Sequence, residues 1–428
     1  MALIVTGFRS VATALLQRIP GFVAASITRE VTREMASGMR VCHVITRLIV
    51  GGAQENTLAS CVGLRARGYE VDLVVGPQTG PEGSLHEQAR AAGVPMIVLP
   101  ELVRAPNPLA DLPAARALVR LFRQRRYDLV HTHSGKAGFV GRWAARRAGV
   151  PIVVHTIHGP SFYRYQNPLG NWLFCWAEKI AAEWTTQFVS VADAMTQQYL
   201  AAGVGRPNQY VTIRSGMNVG AFCEARADAA LRKRLGIEDG DLVVGKVARL
   251  FRLKGHRYLF EAIPRIVREI PNVKFLLVGD GPYRQLFERT AGPHVIFAGL
   301  VPPAEIPRYI AVMDVLVHLS LREGLPRTLP QALACGKPVV AFDVDGAREV
   351  CRDGETGFLI PAEDTDRLAE AVIRLLRDPA LAHRMGVAGR KWVATEFDER
   401  RMVDQLDALY RQLARTCIGS SFTFTFST

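Results

Sequence analysis

Arg249 and Lys254 stand five residues apart in VARLFRLKGH, directly after the apolar run Leu242–Ala248. Two cations at the carboxyl end of a strand suit a diphosphate and the charge that builds as it leaves. One such contact is worth roughly 2–4 kcal/mol in a transition state. Arg252 and Arg257, in the same loop, read as solvated charges. A second segment, Ser320–Val350, runs SLREGLPRTLPQALACGKPVVAFDVDGAREV. A strand ending at Leu319 gives way to a turn carrying Glu323, Gly324, Leu325 and Pro326, and a helix begins near Arg327 or Thr328. Free amides at a helix start, with no side chain on Gly324, make a place for a pyrophosphate. Glu323 at the lip of that turn can accept hydrogen bonds from sugar hydroxyls, or serve simply as a helix N-terminal charge. Gln331, eight residues on and about two helical turns away, would share that face and reach a ribose.

Other groups gather at strand ends. Gly51-Gly52-Ala53-Gln54 follows the first strand and opens a helix, and its glycines let a ligand approach the backbone closely. His158 ends HTIHG after the fifth strand and points into whatever cleft lies there. Gly279-Asp280-Gly281-Pro282 follows another strand, although Asp-Gly-Pro is also an ordinary turn. His131 and His133 lie in HTHSGKAG. Their spacing suits a metal, but alternation along a strand argues that the rings part. Helix capping by Ser134 and acceptor contacts by His133 or Lys136 are the preferred readings.

The elements that must position these groups are β-branched runs alternating with helical segments. In the first half the runs are Val41–Thr46, Val71–Val75, Met96–Leu99, Leu129–Thr132, Ile152–Thr156, Phe188–Val191 and Val211–Arg214. In the second they are Leu242–Ala248, Lys274–Val278, Val295–Phe297, Val315–Leu319, Pro338–Ala341 and Gly357–Ile360. Continuous apolar strands separated by helices imply parallel sheets covered on both faces. The expectation is two doubly wound Rossmann-like α/β domains facing across a cleft, with ligands at the carboxyl ends of the strands. The divisions are an extension over 1–38, a domain over 39–215, a second over 216–398, a helix over 399–418 that packs back across the hinge, and a disordered tail over 419–428. The linker is placed at Ser215–Ala230.

Composition narrows the function. At 428 residues two domains are the natural division. Seven scattered cysteines with no CxxC pair argue against a disulfide framework or zinc site and fit a reducing compartment. The net charge of +13 comes without a basic block or an RNA motif, which speaks against nucleic acid. An anionic donor or an anionic membrane surface accounts for it. No apolar stretch has the length of a membrane span. Met1–Ala25 carries Arg9 and Arg18 between short apolar runs. It reads as an amphipathic or targeting extension or, preferably, as an over-long start ahead of Met39. Pro160–Trp176, PSFYRYQNPLGNWLFCW, is either a helix packed on the core through Trp172, Phe174 and Trp176, or a lip that contacts acceptor or lipid.

From Met39 to about Asp378 the chain resembles family-4 retaining glycosyltransferases with the GT-B fold. Their signature is a Glu, seven residues and a second Glu. Glu323 matches the first, and the chain departs at the second, where Gln331 offers an amide that donates as well as accepts. The resemblance implies that Glu323 and His158 hold the donor sugar, that Arg249 and Lys254 grip its phosphates, and that the Gly51-Gly52 and Gly279-Asp280-Gly281 turns lie near the nucleotide. It also implies a nucleotide-sugar donor, UDP-linked by default, and a glycan or lipid-linked acceptor on the way to cell-surface polysaccharide or glycolipid. The enzyme would be cytoplasmic, with peripheral contact at the membrane face, and would need no cofactor or metal. Asp343-Val-Asp345 imitates the metal motif of another glycosyltransferase fold and is set aside, with Glu349 falling where the family has a later Glu. The competing expectations are a nucleotide-sugar 2-epimerase of the same architecture and a non-catalytic binding module.

Overall fold

The computed structural model describes residues 38–79, 83–104 and 108–417. Apart from Gly38, the extension over 1–38 lies outside the described residues, as does the tail over 419–428. Two parallel sheets make up the chain. The first contains β1 (Arg40–Ile45), β2 (Glu70–Val75), β3 (Met96–Val98), β4 (Leu129–His133), β5 (Ile152–Ile157), β6 (Gln187–Ser190) and β7 (Tyr210–Thr212), in the order β3-β2-β1-β4-β5-β6-β7. The second contains β8 (Leu242–Val247), β9 (Val273–Val278), β10 (Val295–Gly299), β11 (Val315–His318), β12 (Val339–Phe342) and β13 (Gly357–Ile360), in the order β10-β9-β8-β11-β12-β13. Both are doubly wound Rossmann-like sheets. Every residue of β4 and β5 is buried, as in a parallel sheet covered on both faces, and the polar ones among them (His131, Thr132, His133, His155, Thr156) are buried too.

Strand order reverses between β1 and β4 in the first sheet and between β8 and β11 in the second. Loops leaving such neighbours diverge to opposite faces, so each reversal opens a crevice at the carboxyl ends of the strands. The two crevices face one another.

The chain passes between the halves twice, and the crossings are laced together. Met217 N–H donates to the Phe397 carbonyl at 2.8 Å, and Glu399 N–H donates to the Met217 carbonyl at 3.0 Å. The expected linker, Ser215–Ala230, holds the first crossing. It contains a short helix, Val219–Glu224, capped by the Asn218 side chain. After the second crossing, helix Glu399–Cys417 buries Met402, Val403, Leu406 and Tyr410 in the first domain's core, beside Val41, Ile45 and Leu58. The last helix among the described residues thus completes the first domain.

Candidate active site

A cavity of about 1040 Å³ lies between the two sheets. All four strands flanking the reversals end in it: Thr46 and Arg47 follow β1, Ser134 follows β4, Ala248 and Arg249 follow β8, and His318 closes β11. Of the residues singled out from sequence, Gly51, Gly52, His158, Arg249, Lys254, Gly279, Asp280, Gly281, Glu323, Gly324 and Leu325 line it. Leu300, Val301 and Ile306 add an apolar wall on the second-domain side.

Lys254 and Glu323 meet at this wall. Lys254 Nζ donates to Glu323 Oε1 at 2.5 Å, and His318 Nε2 lies 3.3 Å from the same oxygen. Burial alone would push the Glu323 carboxyl up, but the Lys254 ammonium and the His318 ring hold it well below the usual carboxylate range. His318 is fixed in turn, with Nδ1 3.0 Å from Thr328 Oγ1. Lys254 is aimed by its own turn. Gly255 has φ +67°, and a side chain there would come within 1.8 Å of the Leu319 carbonyl, so only glycine lets this loop lie against the end of β11. The Arg249 loop is pinned to the Gly279–Gly281 turn, where Leu250 N–H donates to the Asp280 carbonyl at 2.9 Å.

Gly324 has a different reason to be glycine than access for a phosphate. A Cβ there would lie 2.0 Å from the His158 carbonyl oxygen, so the missing side chain admits the backbone of the opposite domain. The two halves of the site touch at this point. Asp345 secures the contact: one carboxylate oxygen accepts from Glu323 N–H at 2.7 Å and the other from Gln198 Nε2 at 2.5 Å. Asp343 instead pairs with Arg348. The two aspartates of the DxD-like spacing therefore serve different partners. Glu349 accepts from the amides of Asp193 and Ala194, both at 2.9 Å, and ties the second domain to the start of helix Asp193–Ala201.

Five sequence expectations are corrected. Gln331 is half-buried and does not line the cavity. Helix Thr328–Ala334 begins only at Thr328, so half of the eight residues after Glu323 precede it, and the two-turn spacing does not apply. His133 is 1% exposed behind His158, and Lys136 pairs with Asp111, so neither reaches the cleft. Ser134 makes no side-chain cap; at φ 67° and ψ 158° it holds a strained backbone at the cavity edge, with its carbonyl accepting from Gly138 N–H. The rings of His131 and His133 do not part, because positions two apart on a strand share a face. They stack, with centroids 4.4 Å apart and planes at 26°. With His43 they bring three ring nitrogens within 4.8 Å of one another, a spacing that could hold a metal ion. The core-packing reading of Trp172, Phe174 and Trp176 is also overturned, since all three are exposed on helix Pro168–Ala182.

Sequence reasoning passed over His318 and Arg327. His318 ends β11 much as His158 follows β5, a signal that was available. Arg327 spans the domains, bonding Glu55 at 2.9 Å and the Gly52 carbonyl at 3.1 Å. Nothing in the local sequence marks that reach.

Comparisons with known proteins agree with this geometry. Residues 51–216 match the glycosyl transferase 4-like domain and residues 228–392 match glycosyl transferases group 1. The UDP-Gal:alpha-D-GlcNAc-diphosphoundecaprenol alpha-1,3-galactosyltransferase of Escherichia coli is 28% identical over 87% of this chain and 97% of its own. The phosphatidyl-myo-inositol mannosyltransferase of Mycobacterium leprae is 31% identical over 86% of this chain and 94% of its own. The structure of Anabaena HepE with UDP-glucose superposes with a TM-score of 0.73, at 23% identity, over 87% of this chain and 100% of that one. The chain belongs to the glycosyl transferases group 1 family and is a nucleotide-sugar-dependent glycosyltransferase with the GT-B fold.

Proposed function

We propose that the enzyme moves a hexosyl or N-acetylhexosaminyl group, with retention of anomeric configuration, from a UDP-sugar to a hydroxyl of a glycan or lipid-linked acceptor in cell-surface polysaccharide synthesis. The observation that carries this reading is the placement of Lys254 and Glu323 on one wall of the cavity and His158 on the other. The donor diphosphate lies against Arg249 and Lys254, and the nucleoside lies toward Leu300, Val301 and Ile306. The sugar sits between Glu323 and His158. The bond from C1 to the phosphate oxygen breaks as the acceptor oxygen bonds C1 on the same face, and the acceptor's proton passes to the departing phosphate. Glu323 orients the sugar rather than attacking it, because Lys254 and His318 already occupy its carboxylate. Gln331, away from the cavity wall, takes no part.

UDP is favoured by the Escherichia coli relative, whose name specifies UDP-Gal. A Mycolicibacterium smegmatis relative is GDP-mannose-dependent, so both bases belong in the test. Purified enzyme is supplied with UDP- and GDP-sugars and polyprenyl-diphosphate-linked or glycan acceptors. The anomeric coupling of the product is then read by NMR. An α-linked product from an α-linked donor is expected. An inverted linkage would overturn the mechanism, and interconversion of the donor without acceptor would assign the chain to the epimerases.

Helix Pro168–Ala182 supports peripheral membrane contact. Leu169, Trp172, Leu173 and Trp176 are exposed at spacings of three, four and seven residues, which places them along one face. The helix carries no exposed acidic residue, since Glu178 is buried against Arg142 at 2.7 Å. Such a face suits the headgroup layer of an anionic bilayer. The same loop is anchored to the donor site, because Arg322 donates to the Pro160 carbonyl. Replacing Trp172 and Trp176 together with serine is expected to weaken binding to vesicles of equal phosphatidylcholine and phosphatidylglycerol by about tenfold or more. Water-soluble acceptors should still be used at the parental rate. Unchanged vesicle binding would remove this face from membrane contact.

A further inference from the structure

Behind His158 lies a buried chain of polar side chains that the transfer chemistry does not use. His158 Nε2 lies 3.0 Å from His133 Nδ1, and His133 Nε2 lies 2.9 Å from His43 Nδ1. His43 Nε2 lies 3.5 Å from the Tyr410 hydroxyl, which lies 2.5 Å from His131 Nδ1. His131 Nε2 ends the chain 2.6 Å from Thr156 Oγ1. These groups come from β1, β4, β5 and the last helix, and His43, His131, His133, Thr156 and Tyr410 are each at most 3% exposed. Burial holds the four rings below the ordinary histidine value, to about 3 for His43 and His158, so each is a neutral imidazole.

A neutral imidazole has one donor and one acceptor nitrogen, so the direction of one hydrogen bond in such a chain sets the direction of the next. The far end sets the direction of them all. The Thr156 hydroxyl has no side-chain or carbonyl partner besides His131 among the described residues. If it accepted from His131, its own proton would be buried without an acceptor, at a cost of about 1–3 kcal/mol. It therefore donates to His131 Nε2. His131 Nδ1–H then donates to the Tyr410 oxygen, and Tyr410 O–H donates to His43 Nε2. His43 Nδ1–H donates to His133 Nε2, and His133 Nδ1–H donates to His158 Nε2.

We propose that this chain, running from Thr156 to His133, fixes the proton of His158 on Nδ1, so that His158 presents a hydrogen-bond donor to an oxygen of the bound nucleotide-sugar. His133, His43, Tyr410 and His131 are positioning residues, acting through His158 alone. The consequence for transfer rests on the donor-sugar role given to His158 above, but the tautomer does not. It is read in the ligand-free enzyme, so its failure is separable from failure of the transfer reading.

The test is the ring ¹⁵N spectrum of full-length enzyme labelled at histidine, with His158 assigned by its loss in His158→Gln. In the parent, His158 is expected to carry its proton on Nδ1. Tyr410→Phe keeps the ring and removes the hydroxyl that joins the two parts of the chain. It is expected to leave His158 a mixture of tautomers and to lower kcat about tenfold with donor KM within about twofold. Thr156→Val should produce the same mixing from the far end, and Thr156→Ser should restore the parental spectrum. A parental spectrum with the proton on Nε2 overturns the proposal even if no variant folds. So does an unchanged His158 signal in a folded Tyr410→Phe or Thr156→Val enzyme.

Discussion

Replacing Lys254 with alanine is expected to lower sugar transfer by roughly 100- to 1000-fold, the usual loss when one fixed charge facing a departing oxyanion is removed. Two effects combine. The leaving diphosphate loses a cation held in place by the Gly255 turn, and Glu323 loses its closest partner, the ammonium at 2.5 Å. The carboxylate is 15% exposed, too little to be rehydrated in place. Stranding it should cost about 1–3 kcal/mol of folding stability. The two effects separate experimentally, because saturating donor does not restore kcat, whereas the stability loss appears in denaturant titration without donor. Arg257→Ala is the matched control. Arg257 is exposed, pairs with Glu363 at 3.5 Å and does not line the cavity. It should transfer sugar within about twofold of the parent, the range expected for a solvated charge away from such features. Equal behaviour of the two variants would take Lys254 out of the mechanism.

Sheets and cleft were legible in the sequence because their signal is local. Thirteen β-branched runs announce the thirteen parallel strands of the described residues within two residues at every end, since strands of a sheet covered on both faces are predominantly apolar. Residues at strand ends inherit that legibility, which is how His158, Arg249 and the Glu323 turn were found. The failures concern what side chains meet across long separations. Gly324 packs on the His158 backbone, Arg327 reaches Glu55, and Tyr410 enters the core of a domain that ends some two hundred residues earlier. No period or motif encodes those meetings. Gln331 differs for another reason: the helix begins at Thr328, not at Glu323, so eight residues do not make two helical turns. The shared face of His131 and His133 was legible from sequence by a correct use of the strand period, which puts residues two apart on one face.

The same histidines make folding sensitive to acid. The enzyme is expected to lose most of its stability between about pH 6.5 and pH 4.5, mostly above the range in which carboxylates protonate in the unfolded chain. The sign follows from linkage. Burial holds His43 and His158 at about 3 and His256 at about 2, and pushes His131, His133 and His155 well below the ordinary value. In the unfolded chain each protonates near 6.5. Below that pH the unfolded state binds more protons than the folded one, so stability rises with pH through the window and is lost as pH falls from the unfolded value toward the folded one. At pH 5 each such ring costs about 2 kcal/mol relative to neutral pH. His43 and His158 alone therefore remove about 4 kcal/mol from a total that is typically about 5–15 kcal/mol. Urea titrations at half-unit steps from pH 7.5 to 4.5 measure this directly. Between pH 6 and 5 the slope of unfolding free energy against pH should correspond to at least about two protons taken up on unfolding. A slope below one proton would mean that the rings are protonated in the folded enzyme, and the neutral chain behind His158 would fall with it.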